Sequence, residues 1–381
     1  MIRATCRSLT GIQPSYRALQ QVSWLQRRSN SSAVSGANKT IFSGIQPTGI
    51  PHLGNYLGAL QQWVKLQDTA EPDTKLFYSI VDLHAITVPQ DASDLQRTRR
   101  EAFATLLAVG LDPKRSTIFF QSMVPQHSEL MWILSCSASM GYLSRMTQWK
   151  SKLELDDSAN PMDQSSRARL KLGLFSYPVL QAADILVHRA THVPVGEDQS
   201  QHLEFSRECA LGFNHIHGNV LVPPQTLTSP AKRVMALDRP MLKMSKSHPN
   251  PKSRIHLTDS KEEIGKKVRV ALTDSVEGVT YDTTTRPGVS NLVDIAFHLD
   301  PSGASSASEL AKDFSNMSLK AFKQHIAEVV NSKLEPIRER YAEIESTGGK
   351  QIEDAADIGA QRATESANAT MKMVREAIGL S

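Results

Sequence analysis

One segment near the start of the chain makes two demands on the backbone that few folds satisfy. Lys39–Ser43 is a short β-rich run that breaks at Gly44, and a loop rich in glycine and proline follows it. Leu53 and Leu57 then recur at helical spacing. The chain must therefore turn sharply from a strand into a helix. Glycines permit that turn, and the helix N-terminus favours an anion beside it.

The strand-and-helix alternation continues along the chain and indicates the fold class. Further β-rich runs are predicted at Leu76–Val81, Thr117–Phe120, His192–Val195 and Val234–Leu237. Helical patterns separate them, including one that Asp91 can cap and Gly110 can end. Such alternation predicts βαβ units in an α/β fold, with a Rossmann-like, doubly wound parallel sheet.

The pattern changes twice, and the changes predict the domain organisation. Residues 121–190 read as a mostly helical insertion, and beyond Pro251 amphipathic helices dominate, starting at the capping-box pair Ser260 and Glu263. We expect a leader at residues 1–36, a Rossmann-like catalytic domain at 37–252 with a loop at 240–251, and a helical C-terminal domain at 253–381.

Charge and composition constrain the class of protein. The net charge is +4, but residues 1–40 hold six basic side chains and no acid, so the rest of the chain is net acidic. The Arg- and Ser-rich leader is typical of a disordered organellar transit peptide, mitochondrial rather than plastid, with a basic tail as the alternative. No apolar run reaches the roughly 20 residues of a membrane helix. The three cysteines show no metal-ligand spacing, and the histidines give no reason to expect a metal site.

A second segment far along the chain also suits an anionic substrate. Lys243-Met-Ser-Lys-Ser247 places two lysines and two hydroxyls in a loop, where they can follow a leaving pyrophosphate. In the first segment, His52 and Asn55 stand at the mouth of the predicted helix. Either segment by itself could be structural: a plain strand-to-helix turn, or a solvated basic loop.

Together the two segments resemble the paired signatures of class I aminoacyl-tRNA synthetases. His52-Leu-Gly-Asn55 differs from the commonest form of the first signature at Asn55, and the lysine signature is unaltered. Four further segments, and Ala271-Leu-Thr-Asp-Ser275, are similar to the bacterial-type tryptophanyl subgroup and, with the leader, to its mitochondrial form. The four segments are Ile41–Gly49, Ile80–Thr87, Tyr177–Ile185 and Val193–Gln199. One departure is His248 after the lysine signature, where the subgroup leads us to expect an acid.

The resemblance implies roles for individual residues. Catalysis falls to His52, Asn55, Lys243 and Lys246. ATP contacts are implied for Gln46, Pro47, Thr48, Gly54, Asn55, Gly196, Glu197, Asp198, Val234, Lys243, Met244, Ser245, Lys246 and Ser247. Tryptophan contacts are implied for Asp184, Phe42, Gln46, His84, Tyr177, Val193 and Gln199.

Asp184 is the residue that would select the amino acid. On a helix it shares a face with Leu180, Ala183 and Val187, and a carboxylate among apolar neighbours needs a donor. The indole N–H is the only side-chain hydrogen-bonding group of tryptophan, so an ionised acceptor complements it. The alternative is an aspartate held by an arginine or by backbone N–H groups in the core.

The resemblance implies a two-step ligase that uses ATP and Mg²⁺. Tryptophan is first joined to the α-phosphate and then transferred to tRNA, whose anticodon would meet the C-terminal domain. A homodimer built partly from residues 121–170 is implied in the mitochondrial matrix, with no membrane or DNA partner. The alternatives are a tyrosyl-tRNA synthetase, a catalytically dead paralogue that binds RNA, and a small-molecule nucleotidyltransferase that shares the glycine–histidine turn, against which the helical residues 258–381 count.

Overall fold

The computed structural model describes residues 39–196, 200–228, 233–246, 248–300 and 302–381, without the side chains of Ser165, Val195 and Thr228. The predicted leader lies outside the described residues. So do four of the candidate site residues, namely Glu197, Asp198, Gln199 and Ser247. Residues 38–381 cluster as one compact unit.

A parallel sheet forms the centre of this unit. Within the described residues it has five strands: β1 (Thr40–Ile45), β2 (Lys75–Ile80), β3 (Thr117–Phe120), β4 (His192–Val195) and β5 (Gln225–Thr228). Their order is β3-β2-β1-β4-β5, and each neighbouring pair is parallel. The chain therefore reverses its direction of travel across the sheet between β1 and β4, where doubly wound folds bind their ligands.

Helices connect and extend the sheet. The first is a continuous run of α1 (Leu53–Asn55), a π-helical turn (Tyr56–Leu60) and α2 (Gln61–Thr69). Between β2 and β4 lie α3 (Asp82–Ala85), α4 (Ala92–Ala108), α5 (Gln126–Ser135), α6 (Met140–Arg145), α7 (Gln148–Lys152), α8 (Gln164–Arg169) and α9 (Leu172–Leu186). The remaining helices are α10 (Ser200–His217), α11 (Lys261–Arg269), α12 (Pro287–Leu299), α13 (Ala307–Asp313), α14 (Leu319–Ser346) and α15 (Lys350–Ile378).

The sheet separates two apolar clusters, because successive strand side chains point to opposite faces. Ile41, Leu76 and Tyr78 face a cluster that α4, α12 and α14 complete. Phe42 and Phe77 face the other, which is built from α5, α9 and α10. The second face is where the candidate amino acid pocket lies.

Helix α15 is packed directly against the sheet. At Gly359 a Cβ atom would lie 1.8 Å from the carbonyl oxygen of Ile118 in β3, so only glycine permits this approach. Ala363, Ala367 and Met371 continue the same helix face into the second apolar cluster. The C-terminal helix is therefore part of the core that supports the pocket.

The predicted fold class and the helical character of the C-terminal region are confirmed. Two differences concern short β-rich runs. The predicted strand at Val234–Leu237 is an isolated antiparallel bridge between Met235 and Lys243. The sequence analysis missed β5, since its mixed sequence Gln-Thr-Leu-Thr at the sheet edge lacks an apolar run. Among the described helices, none has the length and apolar character that crossing a membrane requires.

Candidate active site

The turn after β1 is held by a reciprocal cap. His52 is the N-cap of α1: its Nδ1 accepts the backbone N–H of Asn55 at 3.3 Å, and the Asn55 Oδ1 accepts the backbone N–H of His52 at 3.1 Å. Asn55 therefore commits its oxygen to the turn and keeps its amide group for other contacts. A Cβ at Gly54 would lie 3.0 Å from the His52 ring, which explains the glycine between them.

The same cap determines what His52 can offer a ligand. Burial, together with the positive charges of Lys246, Arg254 and Lys243 and the neighbouring His256, lowers the pKa of His52 to about 3. The imidazole is thus neutral at physiological pH. Because Nδ1 accepts the cap hydrogen bond, Nε2 carries the proton. His52 is accordingly a neutral hydrogen-bond donor for an anion.

The lysine-signature loop is anchored beside this turn. The N–H of Met244 donates to the carbonyl of Val234 at 3.0 Å, and the Met244 side chain is buried in the first apolar cluster. A Cβ at Gly54 would lie 3.5 Å from that of Met244. Asn291 of α12 holds the other side through two hydrogen bonds with the Met235 backbone. The buried methionine thereby fixes the position of the loop relative to the turn.

Lys246 joins the two signature segments directly. Its Nζ donates to the carbonyl oxygens of Thr48 at 3.0 Å and Gly49 at 2.6 Å. Burial, against the opposing effect of Glu101, lowers the pKa of Lys246 to about 8. A lysine held at the mouth of the turn can reach a phosphate placed there. The arrangement therefore brings His52 and Lys246 to one side of the sheet edge.

Two basic residues of this site were missed by the sequence analysis, namely Arg254 and His256. The backbones of His52 and His256 form an antiparallel bridge, and bridged partners project side chains to the same face. Arg254 Nε donates to His256 Nε2 at 3.3 Å, and its Nη1 donates to the carbonyl of His248 at 2.9 Å. Buried Ile255 and Leu257 alternate with these residues, a period-two pattern that could have revealed them.

The departure at His248 has a local explanation. Its Nδ1 accepts the backbone N–H of Asn250 at 3.2 Å, the kind of bond that an aspartate side chain makes in a turn. Asn250 in turn donates from Nδ2 to Asp238 at 2.6 Å. The loop thus closes through the His248 side chain, at the position where the resemblance led us to expect an acid.

Asp184 of α9 lies buried at the second apolar cluster and is held by side chains rather than by backbone N–H groups. Oδ1 accepts from Gln121 Nε2 at 2.6 Å and from His127 Nδ1 at 2.7 Å, and Oδ2 pairs with His84 Nε2 at 2.8 Å. Burial would raise the pKa of Asp184, but the hydrogen bonds from His127 and His84 hold it below its usual range. Asp184 is therefore an ionised acceptor.

Three other residues predicted to contact tryptophan lie in the second apolar cluster, and a fourth, His84, contacts Asp184 directly. Phe42 of β1, Val193 of β4 and Tyr177 of α9 are buried in the second cluster, and the His84 and Tyr177 rings meet edge to face at 6.0 Å. The Tyr177 hydroxyl contacts Gln148 at 2.7 Å and His202 at 2.8 Å. These predicted tryptophan contacts are therefore mostly apolar, with a polar cluster at Tyr177.

The remaining predicted ATP contacts follow the strand ends. Gln46 and Thr48 are exposed beyond β1, Pro47 between them is buried, and Gly196 is exposed after β4. Ser245 is half-buried in the lysine loop. Glu197, Asp198, Gln199 and Ser247 lie outside the described residues. Residues 46–48 and Gly196 thus follow β1 and β4, the two strands between which the chain reverses its direction across the sheet.

Gln121 and His127, which hold Asp184, gave no signal in the sequence, because they belong to a short 3-10 turn and the start of α5.

Within the part of the chain that the structure describes, no group of three or more His, Cys, Asp or Glu side chains is arranged to hold a metal ion.

Comparisons with known proteins agree with the fold and with the resemblance of the two signature segments. Residues 35–335 match the family of class I tRNA synthetases for tryptophan and tyrosine (W and Y). The chain is similar to the mitochondrial tryptophan–tRNA ligase of Schizosaccharomyces pombe, with 46% identity over 90% of this chain and 95% of that protein.

Two solved structures share the fold over the same span. The tryptophanyl-tRNA synthetase of Mycoplasma pneumoniae is 33% identical, with a TM-score of 0.77 over 90% of this chain and 98% of that one. The Campylobacter jejuni enzyme, complexed with ADP and tryptophan, is 32% identical, with a TM-score of 0.72 over 90% and 100%.

Proposed function

Since the chain belongs to the class I tRNA synthetases of the tryptophan and tyrosine type, we propose that it is a mitochondrial tryptophan–tRNA ligase. It activates tryptophan with ATP and transfers it to tRNA. The observation that carries the proposal is the contact of Lys246 with the Thr48 and Gly49 carbonyls, because it brings both signatures to one nucleotide site. The basic leader and the mitochondrial relative support the location.

In the first step, a carboxylate oxygen of tryptophan attacks the α-phosphorus, and the bond to pyrophosphate breaks. Neutral His52 donates from Nε2, Asn55 donates from its amide, and Lys243 and Lys246 follow the charge on the departing pyrophosphate. Preorganised donors of this kind supply about 3–4 kcal/mol each where charge develops. In the second step, a terminal ribose hydroxyl of tRNA attacks the carbonyl carbon of the tryptophanyl-adenylate. An ester bond to the ribose forms, the bond from that carbon to the AMP oxygen breaks, and AMP and the hydroxyl proton leave.

Tryptophan is selected through the acceptor position that the hydrogen bonds already made to Asp184 leave open. Oδ1 has two partners, whereas Oδ2 has only His84 among the described contacts, so Oδ2 keeps one acceptor position. An indole N–H can fill it. Phenylalanine would leave this buried charge short of a donor, which costs far more than a lost apolar contact.

Mg²⁺ enters this scheme with the nucleotide. The side chains that we assign to the nucleotide, namely His52, Asn55 and Lys246, are cationic or neutral donors, which suit phosphate oxygens. The Glu101 carboxylate near Gly49 offers a metal ion too few oxygen ligands by itself. We therefore assign the metal to the ATP phosphates, where it would balance their charge. The relative complexed with ADP supports the use of an adenine nucleotide.

The partners follow from two surfaces. We assign tRNA binding to the helical region at 253–381. We assign homodimer formation to residues 121–170, because Trp132 is 71% exposed and Met140 and Met162 are also largely exposed there. Sedimentation of the leaderless protein should give twice the chain mass, and Trp132→Glu should give monomers.

Amino-acid-dependent exchange of pyrophosphate into ATP tests the function directly. All twenty amino acids are assayed, and we expect exchange with tryptophan. The exchange rate with tyrosine or phenylalanine should be at least about 10³-fold lower. Exchange that prefers tyrosine would select the tyrosyl alternative, which fewer of the observations support. Absence of exchange with every amino acid, together with retained tRNA binding, would select the dead paralogue.

A further inference from the structure

A line of polar side chains, buried at Asp184, His127 and His188 and half-buried at Ser366, runs from Asp184 to the C-terminal helix. His127 Nδ1 contacts Asp184 Oδ1 at 2.7 Å, and His127 Nε2 lies 3.2 Å from His188 Nε2. His188 Nδ1 lies 3.3 Å from the hydroxyl of Ser366 in α15. Four residues from α5, α9, the turn after α9 and α15 are thus joined in series. We call His127, His188 and Ser366 the relay.

The relay has one direction when its histidines are neutral. His127 must donate from Nδ1, because an ionised carboxylate only accepts. Its Nε2 is then an acceptor, so His188 donates from Nε2. The His188 Nδ1 consequently accepts from the Ser366 hydroxyl. Each donor therefore points toward Asp184, and the identity of the atom at residue 366 sets the tautomer of His188.

The surroundings leave the relay few other arrangements. His127 and His188 are both buried, and the His188 ring stacks on Phe77 at 4.5 Å and on Phe42 at 5.8 Å. Burial lowers the pKa of His188 well below its usual value, although Asp184 opposes this effect, so its ring stays neutral. Stacking fixes the ring plane, and only the hydrogen-bond direction remains to be chosen.

We propose that the relay residues position the Asp184 carboxylate for indole recognition, which makes α15 a determinant of amino acid specificity. The inference rests on the proposed function, in which Asp184 accepts the indole N–H. By keeping His127 bound to Oδ1, the relay fixes the carboxylate rotation and leaves the free acceptor position on Oδ2. These are positioning residues, since they act through Asp184.

Side-chain contacts on either side of the relay connect α15 to α5. Around Ser366 the helix is held by Asn368, which accepts from Gln126 Nε2 at 2.6 Å, and by Arg375, whose Nε donates to Glu129 at 2.7 Å. Both partners lie on α5, the helix that carries His127. A displacement of α15 would therefore be transmitted to the residues that hold Asp184.

The test compares tryptophan with benzothienylalanine, in which sulfur replaces the indole N–H. In pyrophosphate exchange, the unaltered enzyme should prefer tryptophan by at least about 10²-fold in kcat/KM. Ser366→Ala should lower that preference about three- to tenfold, mainly through a higher KM for tryptophan. Alanine is the better helix former, so folding is not threatened. Thr370→Val, which removes a buried hydroxyl one turn further along α15, should leave the ratio within about twofold.

A second variant covers the middle of the relay. His188→Phe keeps an aromatic ring between Phe42 and Phe77 but gives His127 no donor, and it should lower the preference about tenfold or more. If Ser366→Ala and His188→Phe leave the ratio unchanged, or weaken both substrates equally, the relay has no positioning role. If the unaltered enzyme fails to distinguish the two substrates, the assignment of the indole N–H to Asp184 is wrong instead.

Discussion

Removal of the Lys246 ammonium group should damage activation far more than substrate binding. In the free enzyme this group makes two charge-assisted hydrogen bonds, to the carbonyls of Thr48 and Gly49. Each such bond contributes about 1.5–3 kcal/mol. When ATP enters, the lysine exchanges these carbonyls for phosphate oxygens. The exchange is nearly balanced in the ground state, because contacts are lost as others form.

The balance changes in the transition state, where negative charge moves onto the departing pyrophosphate. A preorganised donor that meets developing charge contributes about 2.7–4 kcal/mol, or 10²–10³ in rate. We therefore expect Lys246→Ala to lower kcat of pyrophosphate exchange about 10²-fold. The KM for ATP should change by less than about threefold, and that for tryptophan less still.

Steady-state exchange, supplemented by single-turnover formation of the adenylate, measures these quantities. Lys252→Ala is the matched control, because Lys252 is an exposed lysine a few residues further along and only its backbone N–H makes a described hydrogen bond. It should behave as the unaltered enzyme. A Lys246→Ala enzyme that loses tryptophan affinity and kcat to the same degree would refute the reasoning, since it would make Lys246 a structural residue.

The remaining predictions concern pH, the second basic pair and the core. Because the protonated lysine binds phosphate and its pKa is lowered to about 8, kcat/KM for ATP should fall as pH rises above 8, and Lys246→Arg should extend the plateau upward. A profile flat to pH 10 in the unaltered enzyme would contradict this. Arg254→Gln should raise the KM for ATP about tenfold and leave the KM for tryptophan unchanged. Lys252→Gln, the control, should leave both KM values unchanged. Gly359→Ala should destabilise the fold by more than about 3 kcal/mol in urea unfolding, because its Cβ would overlap the β3 backbone, whereas Gly265→Ala on the open surface of α11 should stabilise it by about 0.5–1 kcal/mol. Equal unfolding midpoints for these two variants would refute the close approach of α15.

The sequence allowed the fold class and both signature segments to be predicted because their constraints are local. A strand that turns into a helix through glycine and proline needs only neighbouring residues, and the strand at Thr117–Phe120 was predicted to its ends. The cap of α4 at Asp91 and the capping box at Ser260 are equally local, and both are present. Edge strand β5 was missed, since its pairing with β4 rather than its own pattern makes it a strand.

The candidate site also combines features set by local sequence with features set by tertiary contacts. The sequence by itself determined which residues are candidates for the chemistry at each segment, since His52, Asn55 and the lysines stand in short local patterns. Only the tertiary structure decided what surrounds them: that Lys246 reaches Thr48 and Gly49 across almost two hundred positions, and that Arg254 lies beside His256.

Asp184 shows most clearly what the sequence could not predict. Its periodicity placed it on an apolar helix face but indicated none of its hydrogen-bond partners. Its donors come from Gln121, His84 and His127, on three different elements, and the relay adds Ser366 from the far end of the chain. Hydrogen bonds fall off within tenths of an ångström and depend on angle, so no spacing along the chain encodes them. Packing of α15 against β3 brings Ser366 within reach of His188.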